Sequence, residues 1–257
     1  MHTPMQTRTP NQEESWFTRL LTLPSLEIAR FTIFGYMRSG WILLDIVLTW
    51  LIFSVFFSAS SVRTNEFFSL ASPGMAAEAV VSSIIITHRA MRANSYLPLS
   101  RLSSRAPYLY GIMLAASVAR IPLYGLLLLT TLIGSSITDM TWLNMLSGSF
   151  GLLLICTFCA LITVTLSKPI ATRLARIIFL SWIILALYAV SPLTNPIRQY
   201  FNIVQVPLQP IALCYQFGVQ GFISGWGWFG AALLILYMGL VVFIAKYWFA
   251  KRDLPLF

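Results

Sequence analysis

Two ionisable residues sit where an apolar chain can least accommodate them. Glu78 and Arg120 each interrupt a long hydrophobic run, and Asp45 falls in or at the edge of another. A charge at the centre of a bilayer costs at least about 2.5–3.5 kcal/mol, so such residues pair with one another or mark a path for a polar species. Arg120 lies 13 residues into its run, roughly 20 Å deep at 1.5 Å per residue, and Glu78 lies nine residues in, roughly 14 Å deep. Sequential antiparallel helices touch, so Glu78 and Arg120 are placed to pair. One reading makes them a polar point on a transport path or a gate. The other makes them a structural ion pair, or leaves Glu78 an uncharged acid. Pro122 follows Arg120 closely enough to kink the helix there.

Other chemistry is missing. The lysines, Lys168, Lys246 and Lys251, follow Ser167, Ala245 and Ala250, so no G-x-x-x-x-G-K phosphate loop exists. The histidines are His2 and His88, which rules out H-E-x-x-H. No serine stands in G-x-S-x-G. Cys156 and Cys159 form a C-x-x-C, but inside Leu-Ile-Cys-Thr-Phe-Cys-Ala-Leu rather than a βαβ unit, and a zinc site needs more ligands. They read as small buried packing residues. Gly221-x-x-x-Gly225 likewise reads as a close-packing motif. The chain is therefore not expected to be an enzyme, and no metal site is expected.

The elements that must hold these residues are membrane spans. Of the 257 residues, 58% are hydrophobic and only 10% charged, with a mean hydropathy of +0.78. A soluble domain carries roughly 25% charged residues. This excludes a soluble enzyme, a nucleic-acid-binding domain and a disordered chain. The expected fold is all-α: a polytopic integral membrane protein with spans over 41–57, 67–87, 107–133, 146–166, 175–191 and 226–249. The net charge of +9 follows the same plan. Fourteen basic residues fall before the first span, in the 2–3 and 4–5 connections and at the C-terminal end; only Arg63 and Arg198 fall on the other side, and Arg120 is intramembrane. That asymmetry sets both termini in the cytoplasm. Residues 1–24 are polar, without the apolar core of a signal peptide, and read as a disordered cytoplasmic N-terminus ahead of one membrane domain over 25–257.

Two connections stand out. The cytoplasmic one, 88–105, holds Arg89, Arg92, Arg101 and Arg105 around a Leu97-Pro98-Leu99-Ser100 turn. It reads either as an ordinary positive-inside loop or as a docking element for a soluble partner. The outer connection, 192–224, is 33 residues long and contains four prolines, yet is largely apolar. Short proline-broken helices at or within the outer leaflet fit that composition.

The run Phe67-Phe-Ser-Leu-Ala-Ser-Pro-Gly-Met75 resembles the Phe-x-x-Pro-Gly stretch of ABC-2-type transporter permeases. Tyr96-Leu-Pro-Leu-Ser-Arg101 is similar to their Leu-x-x-Pro-x-Ser segment, the apolar proline-rich stretch to their re-entrant outer element, and Ala245-Lys-Tyr-Trp-Phe-Ala-Lys-Arg-Asp-Leu254 to their basic tail. The resemblance covers roughly 25–254. Where many members carry a Glu-x-Gly-Thr-x-Glu-like run, this chain has Arg92-Ala-Asn-Ser95.

The resemblance implies a permease subunit of an ATP-driven exporter in the bacterial plasma membrane, moving an apolar or amphiphilic cargo such as a drug, lipid-linked sugar or peptide. It implies two separate ATP-binding subunits, which carry the ATP and magnesium, and a second permease copy or a sister permease. The lipid bilayer is the other partner, and no nucleic acid is expected. Arg89, Arg92, Tyr96, Leu97 and Pro98 map onto the family's coupling element, and 25–39 onto its interfacial N-terminal helix, where Glu27 and Arg30 form an i,i+3 pair. The alternatives are an ATP-independent carrier, for which no internal inverted repeat is visible, or a membrane immunity or structural protein.

Overall fold

The structure is a computed structural model that describes residues 24–58, 61–91, 106–134, 137–167 and 209–251, with isolated positions 174, 178 and 181. It is mostly helical. Helix α1 spans Pro24–Arg38 and α2 spans Ile42–Phe56. Strand β1, Val62–Arg63, leads into α3, Thr64–Ala90. Then come α4, Ala106–Val118, and α5, Arg120–Gly134. Strand β2, Ile137–Thr138, precedes α6, Trp142–Thr165. Two short helices, α7 (Gln209–Cys214) and α8 (Gln216–Gln220), and a 3-10 turn (Gly221–Ile223) precede α9, Gly225–Lys251.

Among the described residues, four helical stretches are long and apolar enough to cross a membrane: α3, α4 with α5 taken together, α6 and α9. The bent pair α1 and α2 raises the number to five if it counts as one span. Several helices of this kind point to a membrane location. The expected span 175–191 lies almost wholly outside the described residues, and 192–208 of the outer connection lies wholly outside them.

Local chemistry explains the boundaries. Pro24 sits at the first turn of α1, where its missing N–H costs nothing, Glu27 lies in the first turn and Arg38 in the last, all favourable to the helix dipole. Gly40, at φ +74°, takes the left-handed conformation that lets the chain turn by 76° into α2. Glu66 accepts a hydrogen bond from the Arg63 backbone N–H at 3.2 Å and so caps α3. Thr141 caps α6 by accepting from the Asn144 N–H. Ser224 does the same for α9, taking the Gly227 N–H at 3.1 Å. The stretch Ala106–Gly134 is continuous except at Ala119. Pro122 has no N–H to offer Val118 four residues earlier, and its ring crowds that carbonyl, which accounts for the break.

Between helices immersed in lipid, close packing replaces the hydrophobic effect. The α3–α6 interface follows that rule. Ala71, Ala76 and Ala79 of α3 are buried, as are Gly148, Cys156 and Cys159 of α6. A Cβ on Gly148 would fall within the Phe68 ring, so only glycine admits that contact. Both cysteines are free and buried, the packing role expected of them. Gly221-x-x-x-Gly225 is different. Gly221 ends α8 at φ +69°, and nothing lies within 4 Å of a Cβ on Gly225. The two glycines belong to different elements, so they present no common helix face.

The two ends of the bundle are tied differently. At one, β1 pairs with β2 in parallel, Val62 with Ile137 and Arg63 with Thr138, and the Thr64 hydroxyl donates to the Thr138 and Asp139 carbonyls, both at 3.2 Å. The short helices lie near that end against α6. Ser147 Oγ donates to the Phe217 carbonyl at 3.0 Å. Phe150, Phe217, Phe222 and Trp228 all contact one another, with ring centroids 5.3–6.4 Å apart. At the other end, α1 packs along the start of α4, and a Cβ on Gly111 would stand 2.6 Å from Ile28 Cγ2. Helix α9 is peripheral: only 22% of its apolar window is buried, leaving Ile235, Leu236, Leu240 and Phe243 facing outward.

Candidate functional site

Helix α2 shows how the site is assembled. Its outer side carries exposed Leu43, Val47, Trp50, Leu51 and Val55, and its inner side Asp45, Thr49, Ile52 and Phe53. The i, i+4, i+7, i+8 spacing places both polar residues on one buried stripe. On α3, Glu78 and Ser82 are also four apart and buried. Helix α5 contributes Arg120, its first residue, immediately after the break at Ala119. Tyr36 reaches in from α1.

These six side chains form one cluster. Asp45 is fully buried, and Arg120 is only 1% exposed although it is one of the largest side chains in the chain. Arg120 Nη2 stands 4.0 Å from Asp45 Oδ2. Tyr36 donates its hydroxyl to Asp45 Oδ2 at 2.6 Å, and Ser82 donates to Asp45 Oδ1. The Ser82 hydroxyl also lies 3.0 Å from the Glu78 carbonyl. Thr49 donates to Glu78 Oε1 at 3.1 Å. Arg120 Nε donates to the Ala116 carbonyl at 3.2 Å, one of the acceptors beside the helix break. Among the described residues, Glu78 Oε2, Arg120 Nη1 and Arg120 Nη2 have no hydrogen-bond partner. A buried polar atom without a partner costs about 1–3 kcal/mol, more when charged.

The structure thus brings Glu78 and Arg120 into one site, but the ion partner of Arg120 is Asp45 rather than Glu78. The reason is helix order in space: α2 packs against both α3 and α5, so its carboxylate competes with the one on α3. Sequence reasoning placed Asp45 in the first span without giving it a role. Its i, i+4 pairing with Thr49 on an otherwise apolar helix was the available signal. Tyr36 was missed because it lies in a different element.

A cavity of about 900 Å³ opens beside the cluster, between α1, the end of α3 and Tyr108 of α4. Ile28, Phe31, Ile84, Ile85 and Ile86 give it apolar walls, while Glu27, His88 and Arg89 are its charged and titratable lining. Tyr36 belongs to both the cavity wall and the cluster. Arg89, the first of the expected coupling residues, is half-buried in the last turn of α3. Arg92, Tyr96, Leu97 and Pro98 lie outside the described residues. Among the described residues no group of three or more His, Cys, Asp or Glu side chains is arranged to hold a metal ion.

No family model, no curated protein and no solved structure matches the chain.

Proposed function

We propose that the chain is the transmembrane permease subunit of an ATP-driven exporter of the ABC-2 type, with six spans and both termini in the cytoplasm. The observation that carries this reading is the order of its elements. A separate helix, α1, meets the first apolar helix at 76°, and short helices fold against α6 directly before the last long helix. Their order supports reading them as the interfacial helix and the broken outer element that the sequence resemblance implies. The missing phosphate loop fits a subunit that takes its power from elsewhere.

In this account, two ATP-binding subunits close on nucleotide and push on the connection that begins at the end of α3. Arg89 stands 11 residues from Glu78 along α3, roughly 16 Å. A displacement of that helix end is therefore transmitted by a rigid rod to the charged cluster. The cargo is apolar or amphiphilic, because the described spans offer few fixed charges to hold anything else. A second copy or sister permease completes the path.

The buried cluster itself favours a second reading, an ATP-independent carrier, since intramembrane acids are frequent in ion-coupled transport. Co-purification in mild detergent with the ATPase encoded beside this gene separates the two. Equal amounts of the two chains support the permease. A stable chain that never retains an ATPase supports the carrier.

A further inference from the structure

The buried cluster contains two carboxyl groups and one guanidinium. Fully ionised, it would carry a net charge of −1 inside a membrane protein. The cost of removing an ion from water falls to a tolerable level only when opposite charges balance. Asp45 and Arg120 balance each other at 4.0 Å. Glu78 has no second guanidinium. It is 3% exposed, receives one hydrogen bond, from Thr49, and keeps Oε2 without a partner among the described residues.

The described elements packed on the cluster each contribute a named group. Helix α1 presents Tyr36, α2 presents Asp45, α3 presents Glu78 and α5 presents Arg120. Helix α6 presents Cys156, a free, buried thiol. Helix α4 offers only the Ala116 carbonyl. No second cation faces the site among the described residues, and a proton is the counter-charge that balances the groups they place there.

A route for it is present. Tyr36 lines the 900 Å³ cavity and donates to Asp45 Oδ2 at 2.6 Å. The cavity is bordered by exposed Glu27, Phe31, Trp41 and His88. We propose that Asp45 and Glu78 share one exchangeable proton, balanced by Arg120, and that it is loaded and released through Tyr36 from this cavity. In the loading step, a hydronium in the cavity gives its proton to Tyr36 Oη while the Tyr36 hydroxyl proton passes to Asp45 Oδ2. Water is left behind, Tyr36 remains neutral, and the carboxyl pair gains the proton. Release is the reverse. The pair, rather than either acid alone, is the titrating unit. This proton site follows from the cluster and stands apart from the permease reading.

The test is infrared spectroscopy of the full chain at neutral pH, in a detergent that has no carbonyl group. A carboxyl exposed to water is ionised at that pH, so a protonated-carboxyl band reports a buried acid. The wild type should show one such band that shifts in D2O. Glu78→Gln should abolish it, and so should Asp45→Asn, because either leaves one acid to one arginine. Arg120→Gln should double its amplitude. Tyr36→Phe should keep the band but slow its exchange, by on the order of 100-fold. Gel filtration identifies any variant that fails to fold, and the two carboxyl variants back each other up. Absence of the band in the wild type, or a band that survives either carboxyl substitution, overturns the shared proton. Exchange in Tyr36→Phe as fast as in the wild type overturns the route.

Discussion

Arg120 Nη2 lies 4.0 Å from Asp45 Oδ2, and this contact joins helices whose residues are 75 positions apart in sequence. It fixes the first apolar helix to the point where the Ala106–Gly134 stretch is broken. A broken helical stretch and a charge tether therefore occur at one place.

Removing one partner of a buried pair leaves the other uncompensated. Arg120→Gln should destabilise the chain by about 3 kcal/mol or more. Adding Asp45→Asn should restore part of the loss, giving a coupling energy of about 0.5–3 kcal/mol. Thermal unfolding in detergent of the two single variants and the double variant measures it. Strict additivity would show that the pair is not energetically linked.

Helix α1 is seated on α4 by the absence of a side chain at Gly111. Gly111→Leu should displace α1 and open the cavity, leaving the long helices intact. Limited proteolysis of the variant should cut within Pro24–Arg38 faster than in the wild type, while the α3–α6 pair remains protected. Equal cutting rates would mean that α1 is held by other contacts.

Phe217 is fully buried at the centre of four mutually touching rings. Phe217→Ala should cost about 3–5 kcal/mol, the usual range for a buried aromatic. It should also release the short helices from α6, since Ser147 loses the fixed position of its acceptor carbonyl. Accelerated amide exchange confined to Gln209–Gln220 would show this; uniform loss of protection would indicate global unfolding instead.

Gly148→Ala places a methyl group against the Phe68 ring. Overpacking of this kind costs typically about 1–3 kcal/mol. Phe68→Leu in the same chain should recover most of it. Failure of the second substitution to help would show that the backbone, rather than the ring, sets the spacing of α3 and α6.

Much of the architecture was legible in the residues, and the reasons are physical. The apolar runs 67–87, 146–166 and 226–249 forecast α3, α6 and α9 to within about four residues, because a bilayer admits few alternatives to a continuous helix. Pro122 forecast the broken stretch at Ala119. The separation of α1 from α2 was legible to within about a residue, since a helix over 25–39 and a span over 41–57 are expected and Pro24–Arg38 and Ile42–Phe56 are found, although Phe31 and Phe34, both exposed, leave α1 without a clean amphipathic face. The ion partner of Arg120 was not legible. Hydropathy orders helices along the chain, whereas Asp45 and Glu78 compete for one guanidinium according to packing in space. Gly221 and Gly225 matched a spacing motif, yet the chain turns between them, which a spacing rule cannot register. The four-ring cluster draws on α6, α8, the 3-10 turn and α9, so no local window contained it.

The central claim is that this chain is driven by a separate ATPase acting at the end of α3. Its most direct test is ATP hydrolysis by the co-purified complex in lipid nanodiscs, with the wild-type chain and with Arg89→Glu and Arg92→Glu combined. The account predicts that the wild-type chain retains the ATPase in equal amount and stimulates its hydrolysis, and that the reversed charges abolish both while the chain keeps its thermal stability. An ATPase that neither binds the wild-type chain nor changes its rate beside it would contradict the account.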